Sequence, residues 1–503
     1  MSEEVAGAIQ KQVLEIGTRL TSSPSECLIE SAFAWELSHQ QHLFEAVGLV
    51  DLAHTISTME LGTIPRQQGI ELLRFLLALQ DKPDSFKAIP AGGDIYTNRE
   101  AWLAERTGAV KWLGAGRARR EAITSAFVLD VRQRLLTLSE TLIMLAETFI
   151  NRAENDKNTL MPDYTYLQAA QPTTFGHYLL GFTYPLLRDL ARLDCLLEKV
   201  NRSPMGCGST NGSRLPQGRE QLAELLGFAD IIPHARDAMW QADLSIENSA
   251  LLTACIVNLS RLAEDLQIFS TQEFALVELD DQHARASKIM PQKKNPFALT
   301  HIRAIANKMI GLTASVCASA RTPSGQPDNR LMIYGELPEG MQLVEQAAAL
   351  MSETLQRLSF KSDRAYALIG SGWALATDLA EALVQYCDLD FRSAHQLVAS
   401  LVREYPAHSD LKMDADAVMR MSEKVLGKTI SLTDAQLKSA LTPEEAIQQR
   451  KEAGGTASAS LDAMLADCRQ QLNMFREKNQ ANKTFFENKR HSLLQRSESY
   501  IRT

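Results

Sequence analysis

Arg117 to Met161 reads RARREAITSAFVLDVRQRLLTLSETLIMLAETFINRAENDKNTLM and contains neither Gly nor Pro. Within it Ile123, Phe127, Val131, Leu135, Leu138, Leu142, Leu145 and Phe149 recur at steps of three and four, the α-helical period. At 1.5 Å per residue such a helix spans roughly 65 Å, more than an ordinary globular domain can cover. Further helical stretches at Ala235–Val277, Phe297–Arg321 and Met341–Ile369 predict a central bundle of long helices. Between Leu251 and Ile268 apolar residues surround the helix on all sides, which calls for burial on several faces and hence self-association. Alternating β-branched runs are nearly absent, so the expected class is all-α.

Working outward, the Gly114-Ala115-Gly116 break divides an N-terminal helical domain, 1–113, from the central bundle, 114–363. A C-terminal helical domain follows at 364–503, ending in a helix-prone tail rich in Arg and Lys, read as a solvated helix or a clasp on a neighbouring subunit.

Composition narrows the function. The chain has 503 residues, 52 Lys plus Arg against 61 Asp plus Glu, and a net charge of -9. It therefore offers no basic footprint for nucleic acid, and small molecules are the expected partners. Seven widely spaced cysteines without a C-x-x-C pair suit reduced thiols in the cytoplasm. The opening MSEEVAGAIQKQVLEIG lacks the basic and apolar segments of a signal peptide, and no apolar run is long enough to span a membrane. His39 and His42 in HQQH lack a third ligand and read as a solvated face, so no metal is expected. Gly114-x-Gly116 lacks the third glycine of a dinucleotide fingerprint, and no organic cofactor is implied.

The most informative segment is Val277–Pro296, VELDDQHARASKIMPQKKNP. Asn295 then Pro296 reads as an N-cap and first-turn proline. Lys293, Lys294 and the positive helix end would then converge on a bound carboxylate, with Ser287 within reach. ASKIMPQKKNP resembles the GSSxMPxKxNP signature of the fumarase, aspartase and argininosuccinate lyase superfamily, in the form typical of argininosuccinate lyases. MPDYTYLQAAQPTTFGHYLLGF (Met161–Phe182) and LGAGRARREA (Leu113–Ala122) are similar to two more of that family's motifs. SPMGCGSTNGSRLPQGRE, ATDLAEALV, DFRSAH and LTPEEAIQQRKEAGGTA follow in the family's order, so the likeness covers about Leu37 to Cys468.

The resemblance implies a fumarase/aspartase-type fold, a homotetramer with active sites assembled from three subunits, a dicarboxylate substrate and no cofactor. It further implies β-elimination of fumarate from an N-substituted aspartate, or the reverse addition. By motif alignment Ser287 is the base; Lys293, Asn295 and Arg119 bind carboxylates; Thr165 and Gln168 contact ligand; Asn329 is a retained ligand-side residue. Removing a proton next to a carboxylate builds a doubly charged intermediate, which explains the demand for fixed cations and donors.

Several positions depart from the family. Ala118-Arg119-Arg120 replaces Ser-Arg-Asn, Thr165-Tyr166 replaces Thr-His, and Lys288 replaces the second signature Ser. In QPDNRLMIYGE, Ile333 and Glu336 stand where the family has the Gln and Lys that hold the amino-acid end of argininosuccinate. The sign reversal at Glu336 argues against argininosuccinate itself. Thr165 and Tyr166 are expected to act at the leaving-group side, the Tyr166 phenol being able to donate a proton to the leaving nitrogen, while Arg117, Arg119, Arg120, Lys288 and Lys293 suggest a more anionic or differently shaped ligand. A non-catalytic structural homologue and a true argininosuccinate lyase of arginine synthesis are the alternatives.

Overall fold

The computed structural model describes residue 16 and residues 18–323, 325–406 and 413–502. The acidic opening read as lacking a signal segment lies almost wholly outside the described residues.

The chain is all-α. Helix α1 (Phe44–Glu60) and α2 (Arg66–Asp81) precede the long α3 (Arg119–Asn155). A hairpin of β1 (Leu160–Thr165) and β2 (Gln168–Thr174) leads into α4 (Phe175–Val200). The bundle is completed by α5 (Ala242–Phe269), α6 (Phe297–Ala320) and α7 (Ile333–Arg357), and α8 (Ser458–Arg502) runs along its outside. One apolar core joins α1 to α8, while a second, smaller core gathers Leu379, Leu383, Leu397, Leu401, Val418 and Leu437 from the helices between α7 and α8.

Several helix bounds differ from the sequence reading. The stretch ending at Met161 stops being helical at Asn155, where a polar run frees the chain to form β1. The stretch from Ala235 breaks at Trp240, whose extended backbone separates a short helix from α5. Most instructive is α7, which starts at Ile333 rather than Met341 and runs through Gly335, Pro338 and Gly340. A side chain at Gly335 would collide with the His39 ring, and one at Gly340 with Leu312. Close helix approach thus offsets the poor helix propensity of these residues.

The helices define two ends. Helices α3 and α7 run parallel, with Thr124 Oγ1 3.1 Å from Tyr334 Oη near their starts. Near their finishes, Arg152 Nη1 donates to Leu355 O at 2.9 Å. The 28 residues from Thr124 to Arg152 correspond to about 42 Å of rise. We call the first end the head and the second the foot. Hairpin β1–β2, the end of α5 and the start of α6 lie at the foot: Tyr164 contacts the Phe269 ring (centroids 5.7 Å apart), and Val277 pairs with Phe360, which stacks on Phe175.

One face of the basic tail is packed on its own bundle, while the outward face is exposed. Leu461, Leu465, Cys468, Leu472, Phe486 and Leu493 of α8 join the main core. Lys478 pairs with Asp194 and Glu198, Lys483 with Glu140, and Arg496 with Glu60, all within 2.7–3.2 Å. Its excess of cations matches the acidic face of its own bundle. His39 and His42 are not a solvated face: His39 stacks on Trp35 at 4.1 Å, and His42 Nε2 lies 3.6 Å from Asp130.

Candidate active site

At the foot, the signature segment forms a small hairpin, with Arg285–Ala286 paired to Lys294–Asn295. Ser287 stands at its neck, and its Oγ accepts N–H groups from Met290 at 3.0 Å and Ile289 at 3.4 Å. Lys288 and Lys293 are exposed, as are the apolar Ile289 and Met290. Two expectations fail here. Asn295 does not cap α6; its amide donates to Arg285 O at 2.8 Å, and the helix starts at Phe297 with no side-chain cap. Nor does Lys294 converge with Lys293 on a ligand. It is held by Asp281 at 2.7 Å and Glu278 at 3.5 Å, with Lys361 on the other side of Glu278. Those pairs fasten the hairpin base to the foot, leaving the exposed Lys288 and Lys293 as its ammonium groups outside any ion pair among the described residues.

Thr165 and Gln168 pair across the end of β1–β2, and all four residues of this turn are exposed. Between them Tyr166 and Leu167 adopt φ values of 56° and 57°. Two successive left-handed residues make the type I′ turn that normally favours Asn-Gly, so Tyr-Leu is held at a conformational cost of about 1–2 kcal/mol per residue. Tyr166 is 98% exposed and therefore gains no compensating packing within its own protomer. Tyr166→Asn, which tolerates this backbone, should raise protomer stability by roughly 0.5–1 kcal/mol while removing the phenol. Chemical denaturation checks the first effect and turnover the second.

The remaining candidates lie at the head. Arg119 and Arg120 open α3, whose preceding Ala118 supplies no side-chain cap. Arg119 reaches Asp94 at 3.2 Å yet stays 62% exposed, and Arg120 donates to Gly325 O at 3.2 Å. Asn329 and Arg330 are buried together, the Asn329 amide oxygen accepting from Arg330 at 3.2 Å. Burial, aided by Asp94, raises the Glu36 carboxyl above the usual range; Arg119 and Arg330 oppose this. Ile333 is buried, and Glu336 accepts from Ser315 Oγ at 3.3 Å. Arg117, grouped with the ligand cations on sequence grounds, is instead buried and bound to Asp51 at 2.7 Å. It lies two residues ahead of α3, so its side chain turns into the core instead of sharing the exposed face of Arg119.

Two contributors were not named among the candidate residues, although the second lies in a segment already quoted for its likeness to the family. One is Glu36, whose segment has no motif to reveal it. The other is the loop 203–218, which lies against Gly116: a side chain there would meet Ser213 Oγ and Gln217 Nε2. Its run of small and polar residues, STNGSR, was the available signal.

The candidates therefore form two groups in one protomer, Thr165, Tyr166, Gln168, Ser287, Lys288, Lys293 and Asn295 at the foot, Arg119, Arg120 and Asn329 at the head. The length of the bundle separates them. Among the described residues no cluster of three or more His, Cys, Asp or Glu side chains could hold a metal ion, and no helix is long and apolar enough to cross a membrane.

A lyase family profile matches residues 76–311, and an argininosuccinate lyase C-terminal profile matches residues 373–448. Argininosuccinate lyase of Methanococcoides burtonii is 32% identical over 461 residues, covering 90% of this chain and 92% of the relative. This chain belongs to the argininosuccinate lyase family. As a member it is a carbon–nitrogen lyase. Argininosuccinate lyase 1 of Shouchella clausii is similarly related, at 31% identity over 90% of this chain and 93% of its own length. Among solved structures, EDDS lyase in complex with formate superposes with a TM-score of 0.84 at 25% identity, over 96% of this chain and 97% of the other. A class II fumarase from Schistosoma mansoni shares the fold, with a TM-score of 0.67 at 13% identity over 87% and 94% of the two chains. The lyase thus has the fumarase/aspartase-type fold expected from its motifs.

Proposed function

We propose that this lyase eliminates fumarate, or a closely related dicarboxylate, from an N-substituted aspartate other than argininosuccinate, or catalyses the reverse addition. The observation that carries the reading is the signature hairpin, in which two backbone amides already point at Ser287 Oγ. Such donors favour an alkoxide over a neutral hydroxyl, as a serine base requires. Ser287 takes the proton from the carbon beside a carboxylate. The carbon–nitrogen bond then breaks, its electron pair leaving with nitrogen, which Tyr166 or Thr165 protonates. Lys293, Asn295, Arg119 and Arg120 hold carboxylates while charge develops, with Gln168, Lys288 and Asn329 lining the ligand.

Because head and foot are separated by the length of α3, these roles meet only if subunits share sites. A homotetramer fits the exposed small and apolar face of α6, where Ala304, Ile310, Gly311, Ala314, Cys317 and Ala318 lie uncovered. Seven unpaired cysteines suit a cytoplasmic setting. Against argininosuccinate stand the buried Ile333, which can donate no hydrogen bond to a substrate, and the Glu336 carboxylate, which opposes the charge of an amino-acid carboxylate. The likeness to EDDS lyase, a lyase not named for argininosuccinate, is in keeping with this reading.

The test is incubation of the purified protein with fumarate and a panel of amines, with adducts read by mass spectrometry, alongside argininosuccinate. Adduct formation with a non-arginine amine is the expected result. Rapid fumarate release from argininosuccinate would overturn the substrate reading, and no turnover of any kind would overturn the lyase mechanism.

A further inference from the structure

The loop 203–218 closes against the head of the bundle, and one carboxylate meets it there. Glu121, third residue of α3, is fully buried. Its Oε1 accepts the Gly206 N–H at 2.7 Å, and the Gly208 amide and Cys207 thiol also favour its charged form. Its other oxygen, Oε2, makes no well-formed hydrogen bond among the described residues. Gly206 and Gly208 have φ values of 77° and 62°, a backbone that glycine alone adopts freely. Behind them Arg219 donates to the Met205, Ile232 and Pro233 carbonyls and locks the far side of the loop. The exposed tip carries Ser209, Asn211, Ser213 and Arg214, all able to bind a polar ligand, beside Gly116 and hence near the start of α3.

We infer that Glu121 is a positioning residue: its ionised carboxylate draws the Gly206–Gly208 amides onto α3 and sets the loop tip beside Arg119 and Arg120, and protonation slackens that hold. A charged acceptor makes the stronger hydrogen bond. The charged or titratable groups facing Glu121 are Arg117 just ahead of α3, Cys207 in the loop and Arg219 behind it. Arg117 is committed to Asp51, and burial pushes the Cys207 thiol up, so it stays protonated near neutrality. Burial pushes the Glu121 carboxyl up to about 7, against the pull of Gly206 and Arg117. The carboxyl is therefore neutral below that pH and ionised above it.

The kinetic half of this inference rests on the lyase reading; the loop half does not. Hydrogen exchange of the 203–218 backbone, corrected for intrinsic chemistry, should show protection rising several-fold as pH increases through neutrality. Glu121→Gln, fixed in the neutral form, should show no such rise. In the lyase assay kcat/KM should climb through the same pH range, while Glu121→Gln stays at the low-pH level, about tenfold down at pH 8. Glu121→Asp retains the charge and should keep the pH-dependent rise with weaker protection, which covers the case of a Gln variant that does not fold. Identical pH dependence of exchange in wild type and variant would overturn the inference. The expected exchange without fumarate release from any substrate would instead uphold the positioning of the loop and sink the lyase reading.

Discussion

Ser287→Ala is expected to lower kcat for fumarate release by about 10³-fold or more, with KM changed only a few-fold. General bases contribute roughly 10²–10⁴-fold, and here the base has no neighbouring His or carboxylate within its hairpin to substitute for it. The hydroxyl already accepts two backbone N–H groups, which lower the cost of ionising it. Lys293, Asn295 and the head arginines remain, which is why binding should survive. The loss of two local hydrogen bonds in an exposed loop costs little stability, so circular dichroism should be unchanged and fumarate absorbance alone should fall. Retention of near-normal kcat would remove Ser287 from the chemistry and with it the proposed mechanism.

The second large effect is a gain. Arg120→Ala and Ser287→Ala should each be nearly inactive alone, yet subunits mixed in equal amounts, dissociated and reassembled should regain about a quarter of wild-type activity. The reasoning is geometric. Arg120 opens α3 at the head, whereas Ser287 belongs to the hairpin fastened at the foot by Lys294, Glu278 and Lys361. About 42 Å of helix rise separates the two ends, so no one protomer can bring both residues to one substrate. In a symmetric oligomer each site takes them from different subunits, and random mixing makes both wild-type in about one site of four. If a single protomer carried the whole site, every subunit in the mixture would be defective and no activity would return. Size-exclusion chromatography of the mixture checks that reassembly occurred.

Much of this architecture was legible in the amino-acid order because its signals are local. The period of Ile123 to Phe149 announced α3, and the spacing of ASKIMPQKKNP announced the hairpin that carries Ser287. Other features were illegible because their cause lies far along the chain. Pro338 and the glycines beside it read as breakers, and only the approach of His39 and Leu312 explains why α7 passes through them. Lys294 looked equivalent to Lys293 until Asp281 and Glu278 took it. Arg117 and Arg119 are two residues apart, yet one is buried on Asp51 and the other is mostly exposed.

Sequence alone therefore determined the helical class, the family likeness and the identities of the candidate chemical groups, since periodicity and motif spacing are properties of neighbouring residues. Tertiary structure decided which of those groups remain uncommitted, that the tail lies along its own bundle, that Tyr166 sits on a strained exposed turn, and that the candidates split between two ends. The reason is physical: burial, ion pairing and distance arise between residues tens or hundreds of positions apart, and they assign a side chain to the core, to a neighbour or to a ligand.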